Sequence, residues 1–344
     1  MSQLHESLHS EGQSQSGSAV LDVQGLTKRY SGGVFKRNSI EALRGVDLKA
    51  GLGEVFGILG PNGAGKTTLI KVLLGVVKPT SGSAHLFGQS VGSVEARRRV
   101  GYLPESLRID RHHTARSALA YYGRLSGMTA VAIAKRTDEL LDLVGLAGRD
   151  RESVSRFSKG MYQRLGLAQA LMHDPDLLIL DEPTDGLDPV GRNGVRRVIE
   201  TLREQGKTIF LNSHILQEVE LVCTRVAILA RGKIRGVGSV DELTRHLSSE
   251  TYRINLESGH QFDHADNLQA LAQQIGLDGD RLLCRKIAEG LFELHASLSE
   301  RSQLDSLVDC LREKKHSIQH LEKQRPSLED LFMKLVEDHG GRAE

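Results

Sequence analysis

Apolar residues up to about residue 240 follow two spacings that alternate along the chain. Short apolar runs, which predict buried strands, occupy residues 54–59, 84–87, 100–103, 176–181, 207–211 and 225–230. Apolar residues three and four positions apart, which predict helices, follow several of these runs, for example after Thr68 and after Pro189. Strands that alternate with helices indicate a mostly parallel sheet with both faces covered.

Two regions depart from this alternation. Apolar and polar residues alternate at 20–24 and at 42–48, which predicts two half-buried strands. Residues 105–156 lose the strand pattern, and apolar spacing at 117–126 and 131–144 predicts a helical insertion. The insertion extends to about residue 165 through a further helix, for which Ser158 is the expected N-cap.

Beyond about residue 239 the pattern changes again. It predicts strand, helix, strand, strand, helix and strand, the order of a ferredoxin-like α+β unit, with a hairpin turn at Glu289-Gly290. A last helix is expected after Pro326, with Ser327 as its cap and Asp330 in the capping-box position. The expected organisation is a disordered tail at 1–18, an α/β domain at 19–240 and an accessory domain at 245–344.

Composition and charge narrow the class of protein. The 344 residues suffice for two domains, and 45 basic against 44 acidic residues give a net charge of +1, which offers nucleic acid no general attraction. The 3 cysteines show no paired spacing, so neither a disulfide framework nor a zinc site is predicted, and a reducing cytoplasm is expected. No run of about eighteen apolar residues predicts a membrane span.

The strongest candidate for chemistry lies between the strand at 54–59 and the helix after it. Its residues match the phosphate-binding pattern G-x-x-x-x-G-K-(S/T); they are Gly60, Pro61, Asn62, Gly63, Ala64, Gly65, Lys66, Thr67 and Thr68. The glycines let backbone N–H groups turn inward, and the helix dipole adds positive charge, so this loop suits a polyphosphate. We expect Lys66 to reach the β- and γ-phosphates and the Thr67 hydroxyl to bind Mg²⁺.

Three polar residues follow other strands of the predicted sheet. Asp181 ends the apolar run at 176–181, Glu182 comes directly after it, and His214 follows the run at 207–211. Ligands of open α/β sheets gather at the carboxyl ends of the strands. We expect Asp181 to hold Mg²⁺, Glu182 to act as the general base toward an attacking water, and His214 to lie near the γ-phosphate. Tyr30 is a candidate to stack on an adenine ring.

Taken together, these segments resemble the nucleotide-binding subunit of ATP-binding cassette (ABC) transporters over about residues 20–240. The resemblance adds a signature segment, Phe157-Ser-Lys-Gly-Met161, and a D-loop, Gly186-Leu-Asp188. It implies a P-loop NTPase core with an antiparallel β subdomain and a helical insertion. It also implies a head-to-tail dimer, homomeric or heteromeric, in which Ser158, Lys159, Gly160 and Met161 of one subunit complete the ATP site of the other.

Two positions depart from the family pattern. Lys159 and Met161 stand where glycine and glutamine are common, although Ser158 and Gly160 remain, so a working site is expected. Glu105 stands where glutamine is usual, and its carboxylate can still meet Mg²⁺ and water. The signature segment and the closing stretch after Pro326 are similar to subunits that serve exporters.

The resemblance therefore implies an ATP-hydrolysing subunit on the cytoplasmic face of the membrane that powers a separate multi-span permease. Two other hypotheses about the function stay open. One is a soluble ATPase of the same superfamily that acts on ribosomes or DNA, and the other is a regulator that binds ATP without turnover. The absence of a basic patch and of a long heptad insertion argues against the first of these. The presence of Glu182 and His214 argues against the second.

Overall fold

A computed structural model describes residues 19–31, 39–245, 250–258, 265–277, 281–298, 300–324, 328–329 and 331–332. The expectations for the tail at 1–18 and for Ser327 and Asp330 fall outside these residues. The chain divides into two compact units, and the division lies between Val240 and Asp241.

The first unit contains two sheets. Their strands are β1 (Leu21–Tyr30), β2 (Ile40–Ala50), β3 (Val55–Leu59), β4 (Ser81–Leu86), β5 (Gln89–Ser90), β6 (Val100–Leu103), β7 (Leu177–Asp181), β8 (Thr208–Asn212), β9 (Arg225–Ala230) and β10 (Lys233–Gly238). Its helices are α1 (Lys66–Leu73), α2 (Val94–Arg98), α3 (Ala115–Leu125), α4 (Ala130–Leu143), α5 (Lys159–Ala170), α6 (Pro189–Glu204) and α7 (Leu216–Val222).

The larger sheet has six strands in the order β10-β9-β3-β8-β7-β6. Neighbouring strands are parallel except for β10, which pairs antiparallel with β9. Every residue of β3, β7 and β8 is buried. This burial is why their sequences are continuously apolar rather than alternating. The predicted mostly parallel sheet is confirmed.

The smaller sheet of this unit is antiparallel, in the order β2-β1-β4-β5. Helix α1 contributes Leu69, Ile70 and Leu73 to one core cluster that also takes in residues of both sheets, such as Val23 and Phe210. Each such side chain contributes about 1.5–3 kcal/mol when fully buried. The helix that begins with Lys66 is therefore held firmly in place.

The second unit is built on one antiparallel sheet in the order β12-β13-β11-β14. The bounds are α8 (Val240–Arg245), which starts at the division between the units, β11 (Glu250–Glu257), α9 (Ala265–Gln274), β12 (Leu282–Ala288), β13 (Leu291–Leu298), α10 (Arg301–Glu313) and β14 (Ser317–Gln324). The first and last strands of this unit in the sequence, β11 and β14, pair with each other. β11 lies inside the sheet and β14 lies at one edge. This is the ferredoxin-like arrangement that the sequence predicts.

Differences from the predicted elements are local. The first strand is longer than the predicted 20–24, because β1 continues through a bulge and pairs with β2 as far as Tyr30. The sequence does not predict the short elements β5, β10, α2 and α7, which lack a continuous apolar run or a clear helical spacing. Helix α5 also buries more than one face, with Leu165, Leu167 and Ala170 all covered.

Candidate functional site

The phosphate-binding loop joins the buried strand β3 to helix α1. Gly65 precedes α1 with φ of 114°, a conformation that favours glycine, and a Cβ there would collide with the carbonyl of Ala42. A Cβ on Gly60 would likewise overlap the carbonyl oxygen of Leu229. The glycines therefore allow the loop to pass against neighbouring backbone, and the N-terminus of α1 has no side-chain cap.

Lys66 lies beneath this loop. The side chain is only 7% exposed, and its Nζ donates to the carbonyl oxygens of Gly60 at 2.5 Å and Pro61 at 3.3 Å. Burial lowers the pKa of Lys66, and the charges of Glu182, Asp181 and Glu105 oppose that change. The charges of three carboxylates at two strand ends therefore act on one buried ammonium group.

Asp181 is held in a fixed orientation at the end of β7. The parallel register places it opposite Asn212, whose Nδ2 donates to Asp181 Oδ1 at 2.6 Å, and both residues are buried. Tyr102 lies on β6, the strand on the other side of β7. Burial, and after it the charge of Asp181, raises the pKa of Tyr102 to about 12. Asn212, on the neighbouring strand β8, thus orients the predicted metal ligand.

Glu182 and His214 form a pair at the same edge of the sheet. Glu182 Oε2 accepts from the backbone N–H of His214 at 3.1 Å and lies 2.8 Å from His214 Nδ1. The Glu182 backbone has φ of 52°, which costs about 1–3 kcal/mol in a non-glycine residue, and its N–H donates to the carbonyl of Asn212 at 2.9 Å. Burial raises the pKa of Glu182, and the contacts with His214 counteract it. Such a pKa change favours proton transfer near neutral pH.

We call these residues, Lys66, Asp181, Glu182, Asn212 and His214, the carboxyl edge. Glu105 follows β6, and its charge acts on both Lys66 and Tyr102, so it belongs beside this edge. Tyr30 is 38% exposed and pairs with Ile40, two residues before Ala42, which touches Gly65. The β1–β2 pair therefore brings Tyr30 toward the phosphate loop.

The signature segment lies in a different place. Ser158 caps α5 by accepting from the N–H of Met161 at 3.2 Å, and Asp188 caps α6 by accepting from the N–H of Gly191 at 2.8 Å. A Cβ on Gly160 would lie only 3.5 Å from Gly191 Cα, so the two helix N-termini nearly touch. Ser158, Gly160, Met161 and Asp188 line a cleft of about 400 Å³ there, and none of the phosphate-loop residues lines it. We call this the signature cleft.

Two residues at the carboxyl edge were missed by sequence reasoning. Asn212 carried a signal, because a polar side chain ends an otherwise apolar run, as Asp181 does. Tyr102 carried none, because its contact depends on which strand lies next to β7. His173 lies outside the candidate site: it is half-buried, its ring nitrogen lies 3.1 Å from the carbonyl oxygen of Val100, and burial lowers its pKa.

The chain is similar to several known proteins. The ABC transporter family model matches residues 43–185. An uncharacterised ABC transporter ATP-binding protein of Synechocystis is 38% identical over 323 residues, which cover 93% of this chain and 86% of that protein. A Nod factor export ATP-binding protein of Burkholderia pseudomallei is 34% identical over 322 residues, which cover 92% of this chain and 97% of that protein.

A solved structure has the same fold. It is a dimeric ATP-binding cassette bound to ADP and phosphate, with a TM-score of 0.58 and 24% identity, and the match covers 64% of this chain and 98% of that one. Within the residues that the structure describes, no helix combines the length and apolar character needed to cross a membrane.

Proposed function

The chain belongs to the ABC transporter family as an ATP-binding subunit, and on that premise we propose that ATP hydrolysis at the carboxyl edge drives export through a separate multi-span permease. The observation that carries this proposal is the convergence of Lys66, Asp181 and the Glu182–His214 pair behind one phosphate-binding loop. A structural turn would not need a buried lysine on which the charges of three carboxylates act.

The proposed roles follow from these contacts. Lys66, freed from its carbonyl partners, would bind the β- and γ-phosphates, and backbone N–H groups of the loop would bind the other phosphate oxygens. Glu182 would accept the proton of the attacking water, and His214 would hold Glu182 Oε2 in position. Tyr30 would stack on the adenine.

The residues also fit Mg²⁺. This ion binds through one or two protein oxygens and the substrate's phosphates, so a protein cage of three or more ligands is not needed. Asp181 and Thr67 would hold it, with Glu105 in its outer shell. The bound ion would neutralise charge that develops on the phosphate oxygens. Asn212 holds Asp181 in the orientation that this position needs.

We further propose that two subunits share each ATP, head to tail. The signature cleft is separate from the phosphate loop in one chain, and its two capped helix N-termini provide a dipole suited to a γ-phosphate. The related cassette that holds ADP and phosphate is a dimer. Hydrolysis would remove the shared phosphate, part the dimer and move the permease through the helical insertion.

Export is supported by the Nod factor export relative. The test is purification of the chain from its own cells in mild detergent, followed by measurement of ATP hydrolysis in the recovered complex. We expect a multi-span membrane protein to be recovered with the chain and to raise its hydrolysis rate. Recovery of ribosomes or DNA in its place would contradict the proposal.

A further inference from the structure

One ion pair connects the signature cleft to the carboxyl edge. Lys159 follows the cap residue Ser158, and its Nζ lies 3.7 Å from Asp185 Oδ2. The other carboxylate oxygen, Asp185 Oδ1, lies 3.9 Å from His214 Nε2. His214 Nδ1 in turn lies 2.8 Å from Glu182 Oε2. Asp185 therefore lies between the signature segment, which is proposed to bind the partner subunit's ATP, and Glu182, the proposed base for the ATP of its own chain.

The Lys159 side chain lies in a space that Gly186 leaves open. Its amine and terminal carbons lie directly over Gly186, where a Cβ would overlap Lys159 Nζ. Gly186 has φ of 62°, so the backbone turns there and presents its bare Cα to the lysine chain. Only glycine leaves this space open. The lysine therefore reaches Asp185 along a groove provided by the D-loop.

Stability does not account for this arrangement. The side chains of Lys159 and Asp185 are 58% and 49% exposed, and ion pairs between such exposed groups contribute little to folding. The carboxylate faces one cation of the signature segment and one ring of the carboxyl edge, with a separate oxygen for each. The arrangement suits a competition between partners better than a fixed cross-link.

We propose that Asp185 is a positioning residue that couples the two ATP sites of the dimer through Lys159 on one side and His214 on the other. This inference rests on the proposed function. The γ-phosphate of the partner's ATP, on reaching Ser158, competes with Asp185 for the Lys159 ammonium group. Asp185 is then left to His214 alone, which fixes the His214–Glu182 pair. ATP binding in the partner's site in this way orients Glu182, the proposed base of this chain's own ATP site.

The test is a double-mutant cycle on ATP hydrolysis with Lys159→Met, Asp185→Asn and the double variant. Each single variant is expected to lower kcat about fivefold, to leave KM for ATP within about twofold, and to bring the Hill coefficient toward one. The double variant is expected to be no slower than the worse single variant, because residues that act through one contact are non-additive. Asp185→Glu is expected to restore part of the cooperativity.

A matched control is available on α4. Lys135 and Glu139 form another exposed pair, at 3.9 Å, and Lys135→Met with Glu139→Gln is expected to leave kcat and the Hill coefficient unchanged. A second, independent test is Gly186→Ala, which displaces Lys159 without removing a charge and is expected to lower the Hill coefficient as Lys159→Met does.

The outcomes separate this inference from the proposed function. Wild-type hydrolysis with additive effects of Lys159→Met and Asp185→Asn, or with both variants like the α4 control, overturns the coupling and leaves the ATPase assignment intact. Failure of the wild-type chain and its permease complex to hydrolyse ATP overturns both.

Discussion

The carboxyl edge is built from strand ends and the start of α1, whereas the signature cleft is built from two helix N-termini, and the two regions are held in different ways. At the carboxyl edge Asp181 and Asn212 are buried and joined at 2.6 Å, and Lys66 is buried beneath the loop. In the signature cleft Ser158 and Asp188 are exposed, and each is fixed only by its own helix cap. The first region is organised before any partner arrives, whereas the second awaits one. Substitutions should therefore act differently in the two regions.

The largest effect is expected from Glu182→Gln. Loss of a general base typically costs about 10²–10⁴-fold in rate, and amide for carboxylate leaves the loop and Lys66 unchanged. ATP binding should persist and the ATP-bound dimer should accumulate, as measured by hydrolysis assay and size-exclusion chromatography. Lys66→Ala is the matched variant, which should lose ATP binding itself. Wild-type hydrolysis by Glu182→Gln would remove that residue from the role of base.

Asn212→Ala should come next. It takes the buried donor from Asp181, and loss of a residue that orients a metal ligand typically costs about 10–100-fold in metal affinity or activity. The Mg²⁺ concentration needed for half-maximal hydrolysis should rise, while binding of ATP without Mg²⁺ stays unchanged. An unaltered Mg²⁺ requirement would show that Asn212 serves only the packing of β8.

His214→Ala should displace the pH profile. Burial raises the pKa of Glu182, and the His214 contacts lower it, so removal of the ring leaves the pKa higher. A base acts only when deprotonated, so the acid limb of the kcat profile should move to higher pH. A lower rate with an unmoved acid limb would mean that His214 acts on the phosphate and not on Glu182.

Ser158→Ala tests the second region, the signature cleft. Loss of a serine cap costs about 1 kcal/mol, so unfolding by denaturant should show a small decrease in stability. ATP binding to the isolated subunit should be unaffected, because the signature cleft is separate from the phosphate loop. The loss of activity should appear only in the dimer. Weaker ATP binding by the single subunit would contradict the division of the site between two chains.

Glu105→Gln should have the smallest effect. Either side chain offers an oxygen to the outer shell of Mg²⁺, so hydrolysis should stay within about twofold of wild type. Complete loss of hydrolysis would show that the negative charge near Lys66 and Tyr102 has a role of its own.

Prediction from the sequence succeeded where a feature depends on neighbours in the chain. The helix after Pro189 and the hairpin at Glu289-Gly290 both follow from residues a few positions apart. The ordered motifs likewise located the phosphate loop and Asp181. The roles of these site residues remain proposals, with the variants above as their tests.

Contacts between distant segments could not be predicted in this way. Tyr102 and Asn212 lie near Asp181 only because β6 and β8 are the neighbours of β7 in the sheet. The spacing of apolar residues within one segment does not specify this strand order. The left-handed backbone of Glu182 is held by the carbonyl of Asn212, a residue on another strand.

The sequence by itself determined the local elements, the parallel character of the central sheet and the identity of the phosphate-binding loop, because hydrophobic period and glycine placement act over a few residues. The tertiary structure decided which polar groups meet: Asn212 with Asp181, His214 with Glu182, and Lys159 with Asp185. These contacts depend on strand order and register, which result from the packing of the whole sheet and its helices.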